Sequence, residues 1–190
     1  MVIYLGGGSQ RGDDLNKLKG YGIPFYVEQG HEYGFIIASP DDKYWTTENW
    51  FESFYAELTS KYRIDITRIY VTGISIGGFG TWQVAMDYPD KFAAIVPLCG
   101  GVNDSDTANI SRLKELPIWT FHGTMDDMIP ISETEKVVSK LEEYGHINSP
   151  VYKKMDMVFN IFMRIIKYLI GYCSIKAAIR SIDSFKVLRI

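Results

Sequence analysis

The stretch Tyr70-Val71-Thr72-Gly73-Ile74-Ser75-Ile76-Gly77-Gly78 restricts this chain more than any other. A β-branched run breaks abruptly into glycine, serine and glycine, and Gly73–Gly77 fits G-x-S-x-G. A strand that turns sharply into a helix at that point holds the serine in a strained conformation with its hydroxyl presented. The flanking positions must lack a Cβ for strand and helix to approach. The surroundings agree: Arg68–Thr72 reads as a strand, and Ile76–Tyr88 as an apolar helix stopped by Pro89.

The rest of the chain alternates in the same way. Val2–Leu5 is a short apolar strand closed by Gly6-Gly7-Gly8-Ser9, where three glycines let backbone N–H groups converge on a small anion; a plain flexible turn is the alternative. Phe35–Ala38 is a second strand. Glu48–Tyr62 carries Trp50, Phe51, Phe54, Tyr55, Leu58 and Tyr62 at helical spacing, which reads as a core-facing helix. Phe92–Leu98 is a strand ending at Cys99-Gly100-Gly101, and Pro117–Phe121 is another ending at His122-Gly123. Ser132-x-x-Glu135 has the form of a capping box before Val137, Val138, Leu141 and Tyr144, with Gly145 as the stop. Strands alternating with helices predict an α/β fold: a mostly parallel sheet with helices on both faces. Chemistry in such sheets gathers at the carboxyl ends of the strands, where Gly6–Gly8, Ser75 and the loop His122–Asp127 all fall.

At 190 residues and 46% hydrophobic, the chain has enough apolar material for one core and reads as one domain. Twenty basic against 23 acidic residues (net charge -3) make no electrostatic case for nucleic acid. Cys99 and Cys173 form no disulfide framework and read as small buried apolar residues. Met1 leads straight into Val2-Ile3-Tyr4-Leu5 without a basic region or cleavage site, so the expectation is a cytoplasmic protein. Secretion is the alternative if the natural start lies upstream, as a core strand beginning at residue 2 suggests.

A serine hydroxyl is a weak nucleophile near neutral pH and needs a base, usually a histidine oriented by a carboxylate. Asp126 and Asp127 stand in the loop after a late strand, whereas Asp104 and Asp106 read as solvated connection. The sequence resembles the alpha/beta-hydrolase esterases grouped with phospholipase/carboxylesterase, dienelactone hydrolase and feruloyl-esterase-like proteins, some placed in the prolyl oligopeptidase clan. The residues that carry the resemblance are Arg11–Leu15, Val71–Trp82, Tyr88–Pro97 and His122–Pro130, and it spans roughly residues 2 to 154. It implies an alpha/beta-hydrolase fold and hydrolysis of a small-molecule carboxylic ester through an acyl-enzyme, with no metal or organic cofactor. It also implies Ser75 as nucleophile, Asp126 as acid, and the amides of Ile76 and Gly8 as the oxyanion hole.

Two departures matter. The family usually carries His-Gly where this chain has Gly6-Gly7, so a residue supporting the oxyanion loop is absent. The catalytic histidine should follow Asp126 after one more helix and strand, and only His31, His122 and His146 exist. His31 reads as a surface residue and His122 as structural. His146 alone has the right chain order, yet it sits just past the stop at Gly145. No catalytic histidine is identifiable, and the chain is expected to be a weak or inactive esterase. The rival reading is a catalytically dead relative that binds a small ligand or partner, and a serine peptidase is the alternative among enzymes.

Val151–Lys154 resembles the family's last strand, and the resemblance ends there. Met157–Cys173 is too short and too interrupted, at Arg164 and Lys167, for a membrane span. A weak membrane-surface helix is a second reading, and a third explanation comes from the genetic code. Met155 and Met157 are each ATG, and the shifted frame across Met155-Asp156-Met157 reads Gly, His or Tyr, Gly. Residues 155–190 are therefore expected to be a frameshifted segment following a hydrolase domain at 1–154, an expectation that a TTT codon at Phe159 contradicts.

Overall fold

The computed structural model describes residues 1–41 and 49–146, and the backbone of 153–155. Cys173 and the expected frameshifted segment from 156 onward lie outside the described residues. Six strands form one sheet: β1 (Val2–Leu5), β2 (Ile37–Ala38), β3 (Tyr70–Ile74), β4 (Ala94–Leu98), β5 (Phe121–Gly123) and β6 (Lys153–Met155). Their spatial order is β2-β1-β3-β4-β5-β6, and every pairing is parallel.

The described α-helices are α1 (Gly22–Glu28), α2 (Trp50–Lys61), α3 (Ile76–Asp87) and α4 (Ser132–Glu143). A 3-10 helix over Asp104–Leu113 joins β4 to β5. From β1 the chain steps one way to β2, then returns past β1 to β3 and continues the other way. Right-handed crossovers put the connecting helices on opposite faces for opposite directions of travel. Accordingly Ile23 of α1 packs with Val2, Tyr4, Val96 and Leu98 on one face. Phe51 of α2, Trp82 of α3 and Val137 and Leu141 of α4 pack with Ile3, Leu5, Val71 and Ile95 on the other. The alternation of β1, with residues 2 and 4 on one face and 3 and 5 on the other, is the strand period of two made visible.

The reversal of direction lies between β1 and β3. In parallel sheets the crevice outside the carboxyl ends at such a switch point is where ligands bind. Leu5 pairs with Gly73, so the turns leaving β1 and β3 depart side by side.

Several expectations shift. Strand β3 is Tyr70–Ile74, so pairing runs to the edge of the elbow. Helix α1 stands where the sequence suggested no element; Gly22, at its start, adopts φ +73, and a Cβ there would meet the Tyr4 hydroxyl. The capping box at Ser132 does not form. Ile131 is the N-cap, Ser132 is already helical, and the Glu133 and Thr134 N–H groups donate to Pro130 O and Ile131 O. Backbone carbonyls take the first-turn donors that a serine cap would have served. Among the described residues no helix is long and apolar enough to cross a membrane.

Candidate active site

Ser75 sits at φ 59, ψ -122, a region that a residue with a side chain adopts only under constraint. The constraint is visible in its backbone. Its N–H donates to Leu98 O of β4 (3.0 Å), and its carbonyl accepts from Gly78 N–H (2.8 Å) and Phe79 N–H (3.1 Å) of α3. A Cβ on Gly73 would lie 2.2 Å from Gly77 O, and one on Gly77 2.1 Å from Leu5 O. Gly78 and Gly100 meet back to back, with a Cβ on Gly100 only 2.5 Å from the Gly78 carbonyl carbon. Glycine at these positions is therefore a packing requirement between helix and sheet.

Ile76 begins α3 and Gly8 begins a 3-10 turn over Gly8–Gln10, so neither N–H has an acceptor within its own helix. The Gly7 N–H points elsewhere, to Gln10 Oε1 (3.1 Å). The three-glycine turn thus offers fewer outward amides than its composition suggests. Gly7 is instead crowded by Tyr21, whose hydroxyl would stand 2.2 Å from a Cβ there. Gln10 itself is 2% exposed. Reading the sequence missed it, although glycine at the N-cap with glutamine three residues on is half of a capping box.

Asp126 lies in the loop after β5 with 14% of its side chain exposed, while Asp127 is exposed. Its Oδ1 accepts from Met128 N–H and Ile129 N–H, both at 3.0 Å, and its Oδ2 stands 3.6 Å from His122 Nε2. The Cys99 thiol also hydrogen-bonds to it. Burial pushes that thiol up to about 12, the Asp126 carboxylate adds to the rise, and the Gly123 N–H at the sulfur works against it. Cys99 therefore stays a neutral thiol at ordinary pH.

Cys99, His122 and Asp126 place potential ligand atoms within 4.8 Å of one another, as a metal site would. Their chemistry is committed otherwise. A ligating thiol must lose its proton, which the Cys99 environment opposes, and both His122 nitrogens are occupied. Nδ1 lies 2.8 Å from Thr134 Oγ1, and Nε2 2.8 Å from Ile129 O. The Thr134 hydroxyl donates onward to Gly100 O (2.6 Å). These bonds tie the loop carrying Asp126 to α4 and to the glycine pair under the elbow. Thr134→Val should strand His122 Nδ1 and Gly100 O in a fully buried place. It is expected to lower unfolding free energy by about 2 kcal/mol, measurable as a shifted urea midpoint.

The histidines are dispersed. His122 is fully buried in the network just described. His146 follows α4, which runs back from the carboxyl end of β5, and its Nε2 hydrogen-bonds Leu116 O (2.8 Å) ahead of β5. It therefore lies at the edge of the sheet opposite Ser75. His31 is exposed after α1, against Tyr26. Trp82 is fully buried core. A cavity of about 740 Å³ runs along α3, between Trp50, Ile76, Phe79, Gln83, Tyr88 and Arg112. Ile76 joins it to the serine turn.

A parallel sheet helical on both faces, with a strained serine turning from the third strand into a helix, defines the alpha/beta-hydrolase fold. The chain belongs to the phospholipase/carboxylesterase family, which matches residues 47–174. It is similar to the bifunctional acetylxylan esterase/xylanase XynS20E of Neocallimastix patriciarum, 29% identical over 107 residues, covering 56% of this chain and 16% of that protein. The poly(3-hydroxyalkanoate) depolymerase C of Paucimonas lemoignei is 46% identical over 44 residues, 23% of this chain and 11% of the depolymerase. The chain thus spans a small part of either relative. Among solved structures, a thermostable esterase superposes with a TM-score of 0.65 at 25% identity, over 88% of this chain and 53% of that one. A phospholipase/carboxylesterase from Dyadobacter fermentans gives 0.60 at 16% identity, over 90% and 88%. Ester hydrolysis is the general chemistry these relatives support.

Proposed function

We propose that this chain is a weak serine hydrolase of carboxylic esters that acylates slowly and turns over more slowly still. The observation that carries the reading is the Ser75 turn: φ 59, glycine-flanked by steric need, beside the Gly8 turn at the sheet's switch point. Ser75 Oγ adds to the ester carbonyl, the Ile76 and Gly8 amides take the negative oxygen, and the bond to the leaving alcohol breaks. The serine proton passes to that alcohol, or to solvent when the leaving group departs as an anion. Asp126 is the acid that would orient a histidine. The cavity along α3 takes one side of the ester, and the name of the acetylxylan esterase relative suggests acetyl esters.

The three histidines of the sequence favour slow turnover, since His122 is enclosed, His146 is bonded to Leu116 O ahead of β5, and His31 lies exposed after α1 against Tyr26. An oxyanion hole alone retains about 10³- to 10⁴-fold catalysis over water when a triad member is lost. Deacylation is hit hardest, because water must then attack without a base. With 4-nitrophenyl acetate, whose anion leaves without a proton, the expected result is a slow release approaching one equivalent per chain. The rate then nearly stops and one acetyl group remains on Ser75 by peptide mass mapping. Release with no adduct on Ser75 contradicts the proposal. A folded chain that releases nothing favours the second reading, a hydrolase-fold protein that only binds its ligand.

A further inference from the structure

We infer that Gln10 is a positioning residue for the oxyanion hole, taking over the support of the oxyanion loop that the residue missing at Gly6-Gly7 would give. The inference rests on the proposed role of Gly8 and concerns what holds that amide in place. Gln10 is a buried neutral amide, and all four of its hydrogen-bonding positions are used. Oε1 accepts from Tyr4 OH (3.0 Å) and Gly7 N–H (3.1 Å). Nε2 donates to Leu18 O (2.5 Å) and Tyr21 O (3.1 Å).

Those four partners lie on strand β1, the glycine turn, and the 3-10 helix Leu15–Gly20 with Tyr21, the residue that closes that helix and caps α1. One side chain therefore fixes the turn to the sheet beneath it and to the layer above it. The consequence for Gly8 is directional. Taking the Gly7 N–H inward leaves the next amide at the start of the turn, and the Gln10 N–H closes the turn onto Gly7 O (2.9 Å).

The glycines follow from the same arrangement. A Cβ at Gly6 would stand 3.0 Å from Gln10 Oε1, and one at Gly7 would strike the Tyr21 hydroxyl. Gly8 has open space around its missing Cβ, as a position facing a ligand would. Gly6 and Gly7 are small to admit Gln10 and Tyr21, and of the three only Gly8 is exposed, with open space beside it.

An amide that is misplaced costs most where negative charge develops, in the transition state, and little in ground-state binding. The test is acylation of Ser75 by 4-nitrophenyl acetate, with the rate constant at saturation separated from the half-saturating concentration. Gln10→Met keeps length and removes every hydrogen bond; Gln10→Glu keeps the acceptor, removes the donors, and sets a negative charge behind the turn. Both are expected to acylate about tenfold or more slowly at saturation, with half-saturation within about twofold. Ile110→Ala, a core truncation away from the turn, lowers the melting temperature without that loss. Equal acylation by wild type and the folded Gln10 variants overturns the inference and leaves the serine reading intact. No adduct in wild type overturns the serine reading, and the inference with it.

Discussion

Gly77→Ala is expected to destabilise the chain by about 3 kcal/mol or more, because overpacking costs of 1–3 kcal/mol assume neighbours that can move. The new Cβ would lie 2.1 Å from Leu5 O, 2.6 Å from its carbonyl carbon and 2.7 Å from Gly6 O, all backbone of the strand and turn beside the elbow. Relief requires α3 to lift off β1, which separates Trp82, Ala85 and Met86 from the core they fill. For a chain of this size each kcal/mol moves the melting temperature by about 2–4 °C, so a fall of about 6–12 °C is expected by calorimetry. Gly8→Ala is the matched control. Nothing lies within 4 Å of its Cβ, and its melting temperature should stay within about 2 °C of wild type. A tolerant Gly77 means that strand and helix do not approach as described.

Ser75→Ala carries the largest expected effect on chemistry. The proposed adduct is a covalent bond from one oxygen, which alanine removes. Cys99, the buried thiol closest in sequence to the site, is held neutral by its surroundings and bonded to Asp126. The substitution should remove the stoichiometric release and the acetyl adduct together while the chain stays folded. Alanine at φ 59 keeps the strain of the turn without a gain in contacts, so the melting temperature should change little.

The elbow was legible because steric necessity writes itself into sequence: glycines that cannot carry a Cβ flank a serine after a β-branched strand. Strand β1 and helix α3 were legible for the related reason that burial on both faces demands uninterrupted apolar runs. Helix α1 was not, since a helix that starts on a left-handed Gly22 and carries Pro24 has the local chemistry of a turn and exists through tertiary packing. The same limit hid Gln10. A lone glutamine in a polar stretch looks like a surface residue, and only the folding of Tyr4, Leu18 and Tyr21 around it, from either side in the sequence, makes it a buried support. His122 shows the reverse: its place after a strand was plain, while the Thr134 and Ile129 contacts that occupy both ring nitrogens depend on α4 folding back over β5. Asp126 could be picked out beside Asp127 by resemblance; its hydrogen bonds with the loop amides and Cys99 appear only in three dimensions.

On the proposed reading, Ser75 is a prepared nucleophile without a histidine to serve it. Reaction of the folded full-length chain with a fluorophosphonate probe, followed by peptide mapping, tests this most directly, since phosphonylation requires the serine oxygen and the oxyanion amides but no deacylation. The predicted result is slow, single-site labelling on Ser75 that is absent in Ser75→Ala. A folded chain that stays unlabelled, or one labelled equally after Ser75→Ala, would contradict it.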